Sequence, residues 1–373
     1  MDRAQLIGAL EALAPLELAG DWDNVGLLVG DASGGELAGP VLLTIDLTDR
    51  VMDEAEAMGC SAIVAYHPLI FRPMSRVVCS DAKQRLVHRA IRAGMLIYSP
   101  HSALDAAPGG LNDWLVGGFG SGDVRALEPH TAGEARRKIV TFLPADAVDG
   151  MRHALASAGA GRVGHYEICS FSAPGEGTFF PLEGTHPVIG SPGRLERVEE
   201  RRFEMVCPAE ATALAIETIR AFHPYEEQVI DVYELEPLPD RNAGQGRRIV
   251  LDQGLTFAQI GERVKVHLGV DRIKTATPYE DTQKQYTHIG VCAGAGHELA
   301  PMAVNNGCEL FLTGEMRHHE VLQYLERGMA IILAGHTNTE RGYLPTLADR
   351  LRRSVAGLDV RVSAEDRSPL DWV

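Results

Sequence analysis

No two of the six cysteines form a CxxC pair: Cys60, Cys79, Cys169, Cys207, Cys292 and Cys308 are scattered over 373 residues. Without a secretory signal they read as reduced, mostly buried thiols, so a metal site in this chain must be built from histidines and carboxylates. No stretch approaches the roughly 18 apolar residues that a membrane span requires. The longest runs, such as Met329 to Ala334, are strand-sized. Met1 to Leu18 mixes acids into an amphipathic pattern and lacks the apolar core of a signal peptide, which makes the cytoplasm the expected location. Basic charge is scarce. Lys and Arg number 35 against 51 Asp and Glu, a net charge of −16, so neither a membrane nor nucleic acid is an expected general partner. There is no Walker A, GxSxG or HExxH motif. Gly294-Ala295-Gly296 follows a strand signal and could cradle a phosphate, but Leu299 stands where a dinucleotide fingerprint needs its third glycine.

What is present is an ordinary globular composition, 45% hydrophobic and 23% charged, which excludes a wholly disordered, collagen-like or coiled-coil chain. The length suits two or three domains. Residues 1 to 125 alternate short apolar runs (Val41 to Ile45, Ala62 to Ala65, Met95 to Tyr98) with helical stretches near Arg50 to Met58 and Ala82 to Ala93. That is α/β texture with a buried sheet. From 126 to 245 the texture changes to two β-α-β passes, the signature of a ferredoxin-like plait. The strands are expected at Ile139 to Phe142, Val163 to Ser170, Arg202 to Val206 and Val229 to Leu235. Pro174 to Gly193 reads as a Gly/Pro-rich connection and Asn242 to Gly246 as part of a linker. From 246 to 373 the first texture returns. The simplest reading is an α/β core split by an inserted domain.

The chemistry-bearing residues gather at strand ends, where α/β sheets hold their ligands. Gly335-His336-Thr337-Asn338-Thr339-Glu340-Arg341 follows a buried strand. A helix starting there puts His336 and Glu340 on one face, a pattern that suits a divalent metal. The same residues also spell a capping box, Thr337-x-x-Glu340. Tyr66-His67-Pro68 ends a second strand and is either a ligand or a plain turn. Pro100 to Asp105 follows a third, with Ser102-x-x-Asp105 again readable as a capping box. Strand ends of one sheet share an edge, so His67, His101, Asp105, His336 and Glu340 can converge, which caps alone do not explain. Gly314 to Glu320 opens a helix and offers Glu315, His318 and His319 as hydrogen-bonding partners of ligands or as proton carriers, or simply as a polar helix start. Trp22-Asp23-Asn24-Val25-Gly26 is either turn chemistry or a substrate-facing loop. His223 to Glu227 is a polar connection or an interdomain or subunit contact.

Together these stretches resemble the NIF-three-like dinuclear-metal family, also called GTP cyclohydrolase I type 2 homologues. The resemblance rests on Asp21 to Gly26, Tyr66 to Phe71, Tyr98 to Asp105, Gly314 to His319 and Gly335 to Arg341, in the family's order. The middle region, about 130 to 238, resembles the PII-like or CutA-like domain inserted in the longer members. The resemblance implies a split three-layer α/β core with an inserted ferredoxin-like domain and a toroidal homohexamer. It implies one or two divalent metals per subunit (zinc, iron, manganese, cobalt or nickel) held by His67, Asp105, His336 and Glu340, with Glu340 as the bridge. Many bacterial members have His-His-Pro where this chain has Tyr66-His67-Pro68, which removes one imidazole. Tyr66 as a phenolate or His101 then completes the second metal site, or that site is weaker or empty. The implied function is a metal-dependent hydrolase acting on a nucleotide-like substrate through metal-activated water, with Glu315, His318 and His319 as proton carriers. The alternative is a non-catalytic regulatory or scaffold assembly with structural metals and a small-ligand-sensing inserted domain.

Overall fold

A computed structural model describes residues 2–33, 35–131 and 135–370. The chain divides into two compact units, one formed by 1–130 with 240–373 and the other by 131–239. Among the described residues, no helix is long and apolar enough to cross a membrane.

The first unit carries two sheets. In one, the strand order is Gly26–Val29, Leu96–Ser99, Ala62–Ala65, Val41–Thr44 and Val360–Val362. All neighbours are parallel except the first pair. The three central strands are buried along their whole length, which is why they read as unbroken apolar runs rather than alternating ones. The second sheet runs Lys274–Ala276, Ala330–Leu333, Leu310–Thr313, Gln285–Cys292, Gly244–Thr256 and Gly122–Pro129, parallel only among its second to fourth strands.

Successive side chains alternate between faces, and the packing follows. Val41, Leu43 and Val64 join Ile289, Leu312 and Ile332 in one apolar cluster that also takes Leu6, Leu115, Ile260 and Leu347 from helices. The other face of the first sheet, with Leu42, Ile63 and Ile97, packs on Val51, Met52, Leu86 and Val87. The other face of the second sheet, with Phe311 and Ile331, packs on Ala300, Ala303 and Tyr324. Each sheet is thus covered by helices on both faces. A three-layer arrangement describes each sheet separately, and the unit as a whole is a mixed α/β body with two of them.

The expected boundaries at 125/126 and 245/246 fall inside strands. Gly122–Pro129 pairs with Gly244–Thr256 rung by rung, from Leu251 opposite Gly122 to Gly244 opposite Pro129. Asn242 to Gly246 looks like a linker by composition, yet its last residues are the first rungs of a strand. Buried Arg247 organises this corner. Its guanidinium donates to Asp113 and to the carbonyls of Asn242, Gly244, Gly246, Ala106 and Ala107.

The second unit is an antiparallel sheet in the order Ser170–Phe179, Glu196–Pro208, Arg136–Leu143 and Ile230–Leu235. Helices Val148–Ser157 and Thr212–Phe222 bury Met151, Leu155, Ala215 and Ile219 against Ile139, Leu143, Phe203 and Met205. This is the strand order of a ferredoxin-like plait. Its second strand lies later than Val163 to Ser170 and runs through part of the supposed Gly/Pro connection. Pro174 is tolerated because this is an edge strand, where a missing amide donor breaks no ladder on its outer side.

Candidate metal centre

Three histidines meet near the ends of strands from both sheets of the first unit. His67 follows the strand Ala62–Ala65, His101 follows Leu96–Ser99, and His336 follows Ala330–Leu333. Their ring centroids are 5.4 Å apart for His67 and His101 and 5.5 Å apart for His67 and His336. Each has its Nδ1 paired with a different carboxylate: His67 with Asp46 at 3.0 Å, His101 with Asp23 at 2.8 Å and His336 with Glu315 at 2.9 Å. A carboxylate on Nδ1 fixes the ring and leaves Nε2 as the ligand atom, the usual second half of a metal site.

Glu340 closes the group. It sits in the short helix Asn338–Arg341 and is 2% exposed. Its Oε1 lies 3.3 Å from His336 Nε2 and its Oε2 lies 3.5 Å from His67 Nε2. Oε2 is buried with no hydrogen-bond partner, a costly state for a carboxylate. Ligand atoms of His67, His336 and Glu340 lie within 4.8 Å of one another. Two imidazoles and a carboxylate are a donor set for a divalent first-row metal. The backbone makes room for it. A Cβ on Gly294 would stand 2.7 Å from Glu340 Oε1 and 3.2 Å from His336 Nε2. The glycine loop therefore forms the wall of this site, and its Gly294 amide donates to Thr339.

The capping-box readings do not hold at either helix. Thr337 makes no side-chain cap, and its hydroxyl accepts from Arg341 instead. The Ser102 hydroxyl donates to Asp23 at 2.5 Å. Asp105 stands half-buried beside the group. The Tyr66 hydroxyl donates to it at 2.6 Å. Burial and the nearby carboxylates hold the Tyr66 phenol well above its ordinary value in the metal-free chain. Burial also pushes the Asp105 carboxyl up to about 6, against the pull of His101 and Tyr66. For His67, burial opposes charge, but Asp46 and Glu340 outweigh it and push the imidazole up to about 10.

Glu315 is fixed on His336. His318 and His319 begin the helix His318–Glu326, exposed and edge to face with each other. Glu320 caps that helix by accepting from the Arg317 amide. Two residues were missed in the sequence: Asp46 as the partner of His67, and Asp23 as the partner of His101. Asp46 had a signal, since it too ends a buried strand. Asp23 sits in a loop whose sequence is also plain turn chemistry.

The model for Duf34/NIF3 (NGG1p interacting factor 3) matches residues 1–369. The chain belongs to the Duf34/NIF3 family. Among relatives, the GTP cyclohydrolase 1 type 2 homolog of Halalkalibacterium halodurans is 34% identical, over 90% of this chain and 88% of that one. NIF3-like protein 1 of Rattus norvegicus is 33% identical, over 99% of this chain and 92% of that one. The crystal structure of a Bacillus cereus protein related to NIF3 superposes with a TM-score of 0.66 at 31% identity, covering 99% and 98% of the two chains. The Duf34/NIF3 match spans both units and every residue of the histidine and carboxylate group.

Proposed function

We propose that this Duf34/NIF3 chain is a metal-dependent hydrolase acting on a nucleotide-like substrate. The observation that carries the reading is buried Glu340, whose two oxygens face the Nε2 atoms of His336 and His67 while other carboxylates already hold the Nδ1 atoms of both rings, and whose Oε2 makes no hydrogen bond. His67, His336 and Glu340 would hold one divalent cation (zinc, iron, manganese, cobalt or nickel), and Asp105 and His101 lie where a second could be shared. Such a cation, when bound, lowers the pKa of its water and provides a nucleophile near neutral pH. The chain's own residues do the rest. Asp46, Asp23 and Glu315 aim the three rings. Tyr66 holds a proton against Asp105 Oδ1. Glu315 is partly exposed, and with His318 and His319 it links the site to solvent for proton exchange. Self-association into a hexamer is part of the same proposal, from the family resemblance.

The nucleotide rests on the relatives' name. The test is turnover of GTP by metal-loaded protein, followed by chromatography of the products. Ring-opened or dephosphorylated product that disappears in Glu315→Ala with metal retained supports the reading. Full metal without turnover of GTP or other nucleoside triphosphates sinks it.

One observation favours the second reading, a ligand-sensing assembly. The inserted unit has a cavity of about 470 Å³ between Phe142, Phe179, Ile189, Arg202 and Tyr225, within the size range of small-molecule sites. In that case metal and cavity ligand would change stability or assembly without turnover.

A further inference from the structure

Beside the histidines stand two aromatic rings that the fold leaves in water. Trp22 is 63% exposed and Phe71 is 41% exposed. Their centroids are 6.2 Å apart, and the indole meets His101 edge to face at 5.8 Å. His101 in turn lies 5.4 Å from His67. Large aromatic side chains usually bury most of their surface, so a fixed pair exposed at the rim of a polar site requires a cause.

The pair is held in place. The indole lies against the backbone at Gly20, where a Cβ would stand 2.6 Å from its Nε1. The next residue, Asp23, is locked by His101 and Ser102. The Asn24 side chain donates to the Ile70 carbonyl, tying the tryptophan loop to the one that carries Phe71. These contacts fix the loops and leave the rings available.

We propose that Trp22, flanked by Phe71 with its ring plane tilted 55° to the indole, forms a stacking face for the planar heterocycle of a purine-type ligand whose reacting end lies at His67, His336 and Glu340. The inference rests on the metal-centre reading and deepens it, by naming what selects the substrate. A base stacked on an aromatic side chain gains affinity with little dependence on its hydrogen-bonding edge. The stacking face therefore takes planar heterocycles as a class, and the purine is the member that the proposed nucleotide substrate brings to it.

The test is equilibrium dialysis of metal-loaded protein against GMP and, separately, ribose 5-phosphate, with metal per chain measured in each sample. In Trp22→Ala the affinity for GMP falls about tenfold or more, that for ribose 5-phosphate is unchanged, and bound metal stays at the parent level. Phe71→Ala gives a smaller loss in the same direction, and Trp22→Phe restores most of the binding. Equal weakening of both ligands, unchanged GMP binding, or no GMP binding by metal-loaded parent overturns the stacking face. Absence of metal from the parent instead overturns the reading beneath it. A change in assembly size in Trp22→Ala with GMP binding intact identifies a second copy of the chain as the occupant and also overturns the stacking face.

Discussion

The two units treat charge in opposite ways. In the inserted unit, most ion pairs among the described residues have at least one partner in water, as in Arg197–Glu176, Arg137–Glu234 and Arg152–Asp149, while Glu204 is half-buried between Lys138 and Arg202. Its buried interior is apolar, and Thr141 and Thr212 bond to carbonyls within the unit. The first unit instead buries Glu340 and Arg247. Arg247 is fully paired, so its burial is explained by structure. Glu340 meets only the imidazoles of His336 and His67, at 3.3 and 3.5 Å, and its Oε2 makes no hydrogen bond, so the fold alone gains little from burying it. Comparing the two units thus separates a buried charge that its hydrogen bonds explain, Arg247, from one that they do not, Glu340.

The contrast can be broken by mutation, and the largest effect belongs to Glu340. Glu340→Gln should lower metal affinity at least a hundredfold, read by competition with a chromogenic chelator, while removing the buried charge leaves the fold standing. Next is Arg247→Ala. It strands Asp113 and several carbonyls and should cost about 3–5 kcal/mol, seen as a lower midpoint in urea by circular dichroism, without direct loss of a metal ligand. Asp46→Asn should weaken metal about 10- to 100-fold, because it only loosens His67. Arg197→Ala in the inserted unit should change stability by no more than about 1 kcal/mol, since its pair is exposed. An effect of Arg197→Ala as large as that of Arg247→Ala would erase the distinction.

A pH experiment sharpens it further. In the metal-free chain the His67 ring is raised from its ordinary 6.5 to about 10. A raised histidine contributes stability that is complete below about 6.5 and lost as pH climbs through about 10. Metal must displace that proton, so binding between pH 7 and 9 should release about one proton per ion, measured by calorimetry in buffers of different ionisation heat. Asp46→Asn, which removes one of the carboxylates that hold the proton on His67, should reduce that release.

Much of this was legible in the sequence because buried parallel strands announce themselves as apolar runs and the ligands stand directly after them. His67, His336 and Glu340 could be placed at strand ends from spacing alone, but the expectation that those ends share the edge of one sheet was wrong: His67 follows a strand of the first sheet, and His336 and Glu340 follow a strand of the second. The capping boxes at Thr337 and Ser102 could not be dismissed that way, since the deciding fact is where a side chain turns once its helix is packed. The strand Ser170–Phe179 was hidden because Pro174 argues against a strand unless its edge position is known. The linker reading of Asn242 to Gly246 failed for a related reason: glycines there serve close strand pairing, and the burial of Arg247 is invisible until Ala106 and Ala107 are seen beside it. Asp23 and Asp46 act only through another residue, and such partners have no fixed spacing from the ring they hold.

The account stands or falls on one number: metal per chain, by elemental mass spectrometry, for protein purified without a nickel column, with His336→Ala and Tyr66→His in parallel. At least one ion in the parent and a clear loss in His336→Ala is the predicted result. A rise of about one ion in Tyr66→His would mean that the tyrosine closes a second site. No metal in the parent after incubation with zinc, iron, manganese, cobalt and nickel, or full occupancy in His336→Ala, would contradict the assignment of His67, His336 and Glu340.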